Sequence, residues 1–300
     1  MRETPVRGTQ SFVNIMAEVW HRPSLSALEI AWRWLFGALL VCVAGSATHF
    51  VVPDFADKLA PLSDVSVFQP VLAIHNITIV AGGLWKAAWP LLRWLLPLAF
   101  VVWNGIAALG RTVVLRRLDA TLHARRLTLF VLGTLRSALL LGAWWLWSHL
   151  VIFGARSAIL APAARGDDPS VVLFAAMLIV GTLVLYVAWA VFSWFLQLAP
   201  LLAMRGKFGP VDAVRSSFAC GKELRGKLIE INLVMNIVRI ALIVLAMVFS
   251  ATPLPFSEVA TPEFLRLWWS GVALLYLAFS DYFHVVRAAS YLSLHRVLSA

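Results

Sequence analysis

Two arginines inside long apolar stretches are the residues whose presence is hardest to explain by packing alone. Arg136 lies in the apolar stretch over 127–153, and Arg239 lies in the stretch over 229–250. A charged side chain near the middle of a bilayer costs about 2.5–3.5 kcal/mol on insertion scales, so it is usually retained for pairing or binding. The presence of these two arginines in the sequence therefore predicts an anion-binding site.

Three more polar side chains extend this predicted site. Asn232 and Asn236 precede Arg239 at a spacing that places all three on one face of a helix. Asp281, near the end of the last apolar stretch, could pair with one of the arginines. The sequence thus predicts an intramembrane pocket that binds or moves an anionic lipid or solute, formed by Arg136, Arg239, Asn232, Asn236 and Asp281.

The same residues also have a purely structural interpretation. Buried Arg and Asn side chains join membrane helices through hydrogen bonds worth about 0.6–2 kcal/mol each. In that case the chain would be a structural or accessory subunit of a membrane complex, with a protein partner that the sequence does not identify. Both interpretations stay open at this stage.

Residues typical of catalysis are scattered rather than clustered. A lipid-modifying membrane enzyme would be expected to show grouped carboxylates for a divalent metal, but Asp167 and Asp168 form an isolated pair beside Pro169. The seven histidines have no metal-ligand spacing. We therefore expect a non-enzymatic protein with no metal and no cofactor, and keep a lipid-modifying enzyme as a further alternative.

The composition indicates what kind of element must position these residues. Hydrophobic residues make up 61% of the 300 and charged residues 13%, against about a half and a quarter in soluble domains. The net charge of +10 comes from basic residues in short stretches between apolar runs, which is typical of contact with anionic lipid headgroups. This placement argues against nucleic-acid binding and favours membrane lipids, including anionic ones, as partners.

Six apolar stretches are long enough to cross a bilayer, which needs about 20 residues. They predict an all-α polytopic membrane helix bundle of about six transmembrane helices, preceded by an interfacial amphipathic helix over 10–21. We expect a cytoplasmic amphipathic segment over 1–26, a membrane domain over 27–286 and a short cytoplasmic tail over 287–300. The predicted spans are 27–51, 87–109, 127–153, 171–201, 229–250 and 264–286.

The basic residues between the spans predict the orientation. Lys and Arg concentrate at 111–126 and 205–227, and such loops face the cytoplasm. A short amphipathic helix with Val211, Val214 and Phe218 on one face is expected in the second of them. Both termini then lie in the cytoplasm, and the apolar segment over 65–83, which Gly82 and Gly83 interrupt, lies at the outer surface. Arg-over-Lys and Ala-rich usage suggests a bacterial inner membrane.

One segment resembles a known family. Residues 208–218 read FGPVDAVRSSF and are followed at 221–227 by GKELRGK and then an apolar span. This pattern, within residues 205–250, is similar to the membrane domain attached to some glycerophosphoryl diester phosphodiesterases and to related uncharacterised bacterial membrane proteins. The resemblance implies a helical membrane domain. It does not bring the phosphodiesterase activity, because in that family the chemistry lies in a separate soluble barrel.

Overall fold

The computed structural model describes residues 8–51, 59–60, 70–223, 225–253 and 261–298, and within them the chain forms helices and no strands. The predicted all-α class is confirmed. The helices are α1 Gly8–Trp20, α2 Pro23–Val51, α3 Pro70–Leu118, α4 Arg126–Ala155 with its continuation through a π-helical turn at Arg156–Leu160 to Ala161–Arg165, α5 Val171–Gly206, α6 Pro210–Glu223, α7 Arg225–Ala251 and α8 Pro262–Leu298.

Six helices in the described part of the chain are long and apolar enough to cross a membrane. They are α2, α3, α4, α5, α7 and α8, and they coincide with the six predicted stretches. The two short helices, α1 and α6, match the amphipathic segments predicted around 10–21 and 211–218. The number of spans and their order in the chain are therefore confirmed.

Local signals at the helix ends explain several boundaries. Pro23 begins α2, because a proline at a first helical turn has no N–H to leave unsatisfied. Gly166 ends α4 with a φ of 84°, a conformation that glycine adopts without strain. Ser170 caps α5, since its Oγ accepts a hydrogen bond from the Leu173 N–H at 3.2 Å. The isolated Asp167 and Asp168 fall in the turn between these caps.

All six spanning helices extend beyond the predicted spans, and α3, α4 and α8 do so by more than two helical turns. α3 begins at Pro70 and passes without interruption through Gly82 and Gly83, so the predicted break there is wrong. Membrane helices tolerate glycine, because lipid offers the backbone no alternative hydrogen-bonding partner. α3 also runs past residue 109 to Leu118, α4 runs past 153 to Arg165, and α8 runs past 286 to Leu298. Residues 65–69 of the segment predicted at the outer surface lie outside the described residues.

The chain divides into two compact units, Ala31–Ala107 and the remainder, Met1–Ile30 with Ala108–Ala300. The smaller unit holds most of α2 and α3, joined by aromatic packing. The Trp103 ring packs against the rings of Trp32 and Phe36 in tilted arrangements, with centroid distances of 5.5 Å and 5.0 Å. Asn104 is buried beside this cluster and donates a hydrogen bond to the Phe100 carbonyl at 2.8 Å. Aromatic contact therefore holds α2 and α3 together here.

The larger unit contains the remaining helices, and its buried apolar side chains form three clusters. α5 packs on α4 and α6, while α8 packs on α7 and α1. The Tyr282 hydroxyl of α8 donates to the Met16 carbonyl of α1 at 2.9 Å. This contact holds the amphipathic N-terminal helix against the last span. The fully buried apolar side chains of the unit include Val19, Leu132, Met204, Met235, Val285 and Val286.

Two tryptophans join α8 to the end of α7. Trp268 Nε1 donates to the Phe249 carbonyl at 2.7 Å, and Trp269 Nε1 donates to the Ser250 carbonyl at 3.1 Å. The last carbonyls of a helix lack i+4 donors within the helix, and these indole groups supply donors to two of them. Indole rings also favour the membrane interface. These two hydrogen bonds tie the start of α8 to the end of α7.

α4 and α5 approach each other closely at a glycine. A side chain at Gly181 would overlap the Leu150 side chain of α4, whereas Gly142 has open space around its Cα. Small residues at helix contacts let membrane helices pack closely. We expect Gly181→Val to destabilise the protein by about 1–3 kcal/mol, the range found for overpacked cores.

The measurement for this prediction is a denaturation series in mild detergent, with Gly142→Val as the matched control. The control adds the same side chain to a membrane helix of the same pair without a neighbour to displace. It should leave stability within about 0.5 kcal/mol of wild type, as substitutions without a special mechanism do. Equal losses from both variants would show that the Gly181 contact is not what matters.

Candidate anion-binding site

A cleft in the larger unit brings together polar side chains from five helices. It has a volume of about 60 Å³, and a cavity needs roughly 10–15 Å³ on this measure to hold one water. The cleft therefore has room for several waters or for a small ionic group. Its polar lining side chains are Glu29 from α2, Arg111 from α3, Arg136 from α4, Gln197 from α5, and His284, Arg287 and Tyr291 from α8.

Arg287 is held in this cleft by a short relay of hydrogen bonds. Its Nη1 donates to Gln197 Oε1 at 3.0 Å, and Gln197 Nε2 donates to Ser193 Oγ at 3.0 Å. Ser193 lies one helical turn before Gln197 on α5, so the relay fixes which end of the amide faces the guanidinium. Arg287 Nε is buried and makes no hydrogen bond to any residue that the structure describes. An anion is the natural partner for this remaining donor.

A second relay holds Tyr291 at the same cleft. The Tyr291 hydroxyl donates to Asn232 Oδ1 at 2.7 Å, and Asn232 Nδ2 donates to the Leu228 carbonyl at 2.7 Å. Tyr291 is 3% exposed and Asn232 1%. The bond joins α7 to α8. Because Tyr291 follows Arg287 by one turn of α8, the two relays fix adjacent positions on one face of that helix.

The electrostatic balance of the cleft is positive. Three of its lining residues are arginines, which stay charged in proteins, and one is a carboxylic acid, Glu29. Like charges held close together in an environment of low dielectric favour the binding of a counter-anion.

Neither a metal-ligand cluster among the described residues nor a similar known protein indicates what the cleft binds. Among residues 8–51, 59–60, 70–223, 225–253 and 261–298, no three His, Cys, Asp or Glu side chains are grouped so as to hold a metal ion. Comparisons with protein-family models, curated proteins and solved structures found no match. The side chains of the cleft are therefore the basis for any function assigned to it.

The structure places the predicted site residues in different surroundings. Arg136 lines the cleft, as does Tyr291, the partner of the predicted Asn232. Asn236 is half-buried and Arg239 is exposed, and neither lines the cleft. Along the face of α7 that carries these residues, the side chains become more exposed from buried Asn232 through half-buried Asn236 to exposed Arg239. This face therefore leaves the protein interior within two turns.

Asp281 also lies apart from the cleft lining. It is buried on α8, 5% exposed, and precedes the first lining residue of that helix, His284. The expected pairing of Asp281 with an arginine stays a prediction. The residues brought together from the predicted set are thus Arg136 directly and Asn232 through Tyr291.

Two of the three arginines in the cleft come from segments predicted to lie outside the membrane helices. Arg111 was expected in a loop and Arg287 in a tail, but α3 and α8 continue through both. The continuation of α8 through Arg287 could have been predicted, because the sequence has no Gly or Pro after Gly271. Without such a stop signal a helix is expected to continue. Arg287 also follows His284 at the spacing of one helix face.

The two basic loops meet at one end of the larger unit. The His123 N–H donates to the Met204 carbonyl at 3.0 Å, and Arg125 Nη2 donates to the Lys207 carbonyl at 2.7 Å. Lys207, with a φ of 55°, ends α5 at this point. The loop before α4 therefore covers the end of α5 and brings Arg125 next to Lys207.

Proposed function

We propose that this multi-pass membrane protein binds, and in doing so holds or moves, an anionic lipid or anionic solute in the cleft, and that it is not an enzyme. The observation that carries the proposal is the convergence of Arg111, Arg136 and Arg287 on one cavity with a single carboxylate. Ionisable residues between membrane helices usually mark binding sites or pathways. Guanidinium groups suit phosphate and carboxylate oxygens, because their N–H groups form a planar fork.

The way Arg287 is positioned supports a binding role. Gln197 takes one N–H of its guanidinium, and the relay to Ser193 keeps the amide from turning. A neutral partner of this kind orients an arginine without cancelling its charge. A site built only for stability would gain more from a carboxylate at this position, since charge-assisted hydrogen bonds are about twice as strong as neutral ones.

We also propose that the protein lies in a bacterial inner membrane with both termini in the cytoplasm. The contact between the two basic loops supports this orientation, because both loops then face the same side. The Met16–Tyr282 hydrogen bond adds the N-terminal helix to the last span. The cleft would accordingly open near the cytoplasmic leaflet, whose anionic lipids are the first ligands to consider.

The structural alternative rests on the same hydrogen bonds. Arg287–Gln197 joins α8 to α5, and Tyr291–Asn232 joins α8 to α7. If these bonds serve only to hold helices together, the cleft would be incidental and the protein would act as a subunit of a larger membrane complex. A variant that strengthens the helix contact while cancelling the charge distinguishes the two roles.

Gln197→Glu is that variant. It places a carboxylate where Gln197 Oε1 now accepts from Arg287 at 3.0 Å, so the arginine gains an ionic partner and loses its attraction for an external anion. We expect about tenfold weaker binding of phosphatidate, equivalent to about 1.4 kcal/mol, with thermal stability in detergent equal to wild type or higher. Binding is measured by titrating phosphatidate into the purified protein.

The control for this experiment is Gln197→Met, which removes the amide but adds no charge. It should lower stability, because Arg287 Nη1 and Ser193 Oγ lose their partner, and it should weaken binding less than the acid does. If Gln197→Glu bound phosphatidate as tightly as wild type, Arg287 would not be part of an anion site. The helix-joining role would then be favoured.

A further inference from the structure

We infer that the ligand of the cleft is a membrane lipid rather than a water-soluble anion, an inference that rests on the proposed function. The anionic headgroup lies in the cleft, and one acyl chain lies along the faces of α4 and α5 that lead from the cleft into the membrane. Arg136 and Gln197 line the cleft, and each is about ten residues, or 15 Å, from the end of its helix at Arg126 or Gly206. The cleft therefore lies at one level of the bundle, well inside the spans.

Towards the helix ends at Arg126 and Gly206, the bundle is closed by packed apolar side chains. Leu198 and Leu202 of α5 and Leu292 of α8 belong to one buried cluster. All three lie closer to this end of the bundle than the cleft residues that precede them on the same helices. Interiors of this kind are close-packed. A solute that entered from the water at this end would have to displace these side chains.

In the opposite direction, the helix faces that carry the cleft residues become exposed and largely apolar. Tyr186 and Leu183 lie on the same face of α5 as Gln197, and both are more than half exposed. On α4, Leu140 follows Arg136 by one turn and is also more than half exposed. Both faces belong to helices that are long and apolar enough to cross a membrane. The surface beyond the cleft is therefore accessible to hydrocarbon chains from the bilayer.

The length of this surface suits one acyl chain. At 1.5 Å per residue, Gln197 and Leu183 are about 21 Å apart along the axis of α5. One leaflet contributes about 15 Å of hydrocarbon, half of the core thickness. A headgroup held at the level of Gln197 thus places its chain beside Tyr186 and Leu183. A lipid reaches this position from the side, with its chain in hydrocarbon throughout, whereas a soluble anion has no use for the apolar surface.

The test compares two ligands that share a phosphate group and differ in their acyl chains. Dioleoyl phosphatidate is an anionic lipid, and glycerol 3-phosphate is a soluble anion. Phosphatidate is titrated into the purified full-length protein in neutral detergent, and native mass spectrometry measures its adduct. The variant Ala190→Trp adds a bulky ring on the face of Gln197, two turns from the amide and on the path of the chain. Ala188→Trp is the matched control, because Ala188 is exposed on the opposite side of α5.

We expect Ala190→Trp to weaken phosphatidate binding about tenfold, because the ring occupies the space of the chain, and Ala188→Trp to change it less than about twofold. The wild type should keep its adduct in the presence of an equal concentration of glycerol 3-phosphate. Since Ala190 is half-buried, a second pair uses positions that are more than half exposed. Leu183→Asn should weaken binding about threefold, and Val184→Asn, on another face, should not.

Two other outcomes overturn the inference in different ways. If glycerol 3-phosphate at equal concentration displaced phosphatidate, and Leu183→Asn bound the lipid as tightly as Val184→Asn, the cleft would be a site for a soluble anion. The proposed function would then stand and this inference would fail. A phosphatidate adduct that persisted unchanged in Arg136→Met plus Arg287→Met would show no anion site in the cleft. In that case the proposed function would fail as well.

Discussion

Replacement of both Arg136 and Arg287 by methionine should weaken phosphatidate binding at least a hundredfold. Each arginine lines the cleft and comes from a different helix, so the two act on separate sides of the ligand. Hydrogen bonds to charged groups contribute about 1.5–3 kcal/mol each, and the loss of two corresponds to a factor of about 100 or more. Methionine keeps an unbranched apolar stem like that of arginine, which limits the change in packing.

A matched pair of arginines outside the cleft gives the control. Arg116 and Arg117 are exposed in the last turn of α3, and neither lines the cleft. Their joint replacement by methionine removes the same charge from the protein but should change phosphatidate affinity by less than threefold. The measurement is equilibrium titration in neutral-lipid nanodiscs at two salt concentrations. Equal losses from both pairs would mean that general attraction to positive charge, and not the cleft, accounts for the binding.

Replacement of Asn232 by leucine should destabilise the contact between α7 and α8. Asn232 is buried on α7 and accepts a hydrogen bond from the Tyr291 hydroxyl of α8 at 2.7 Å. The substitution leaves that hydroxyl buried without its acceptor, which costs about 1–3 kcal/mol. We expect a loss of this size in the free energy of unfolding, measured by denaturant titration in detergent micelles.

The companion variant separates the hydrogen bond from the packing of the asparagine. Tyr291→Phe combined with Asn232→Leu removes both partners, and removing both is often nearly neutral. The double variant should therefore recover part of the stability that Asn232→Leu alone loses. If the two single losses simply added in the double variant, the side chains would not be coupled, and the relay between α7 and α8 would not contribute as described.

The six spans could be predicted because length and composition determine them. A bilayer requires about 20 apolar residues of backbone whose hydrogen bonds are all internal, so α2, α3, α4, α5, α7 and α8 appear directly as apolar stretches. Their exact ends are less predictable. Charged residues near a span end, such as Arg111 and Arg287, look like loop or tail residues in a hydropathy pattern although the helix continues through them.

The site was predictable where a charge lies deep within an apolar stretch. Arg136 lies in the middle of a long apolar stretch, and a charge at that depth is expected to face other helices. In the structure it lines the cleft. Arg239 has the same sequence signature but is exposed on α7. Periodicity shows which residues share a face of α7, but the neighbours that cover that face depend on tertiary packing. The sequence predicted that Asn232, Asn236 and Arg239 all line a pocket, but only the Asn232 end of this helix face is buried.

Gln197 is recognisable in the sequence as a polar residue within an apolar stretch, but the partners of Gln197 and Tyr291 on other helices could not be predicted. Gln197 matters because its amide lies between Arg287 and Ser193, and Tyr291 matters because it reaches Asn232 from another helix. Neither contact has a sequence spacing that marks it, since the partners on different helices are far apart in the chain. Only the packing of α5, α7 and α8 brings them together.

The most direct test of the central claim is native mass spectrometry of the protein gently extracted from the membrane in which it is expressed. Wild type is compared with Arg136→Met plus Arg287→Met and with the Arg116→Met plus Arg117→Met control. We expect wild type and control to retain one phosphate-containing adduct that the cleft variant lacks. Absence of a specific adduct from the wild type, or the same adduct on all three proteins, would contradict an anion-binding role for the cleft.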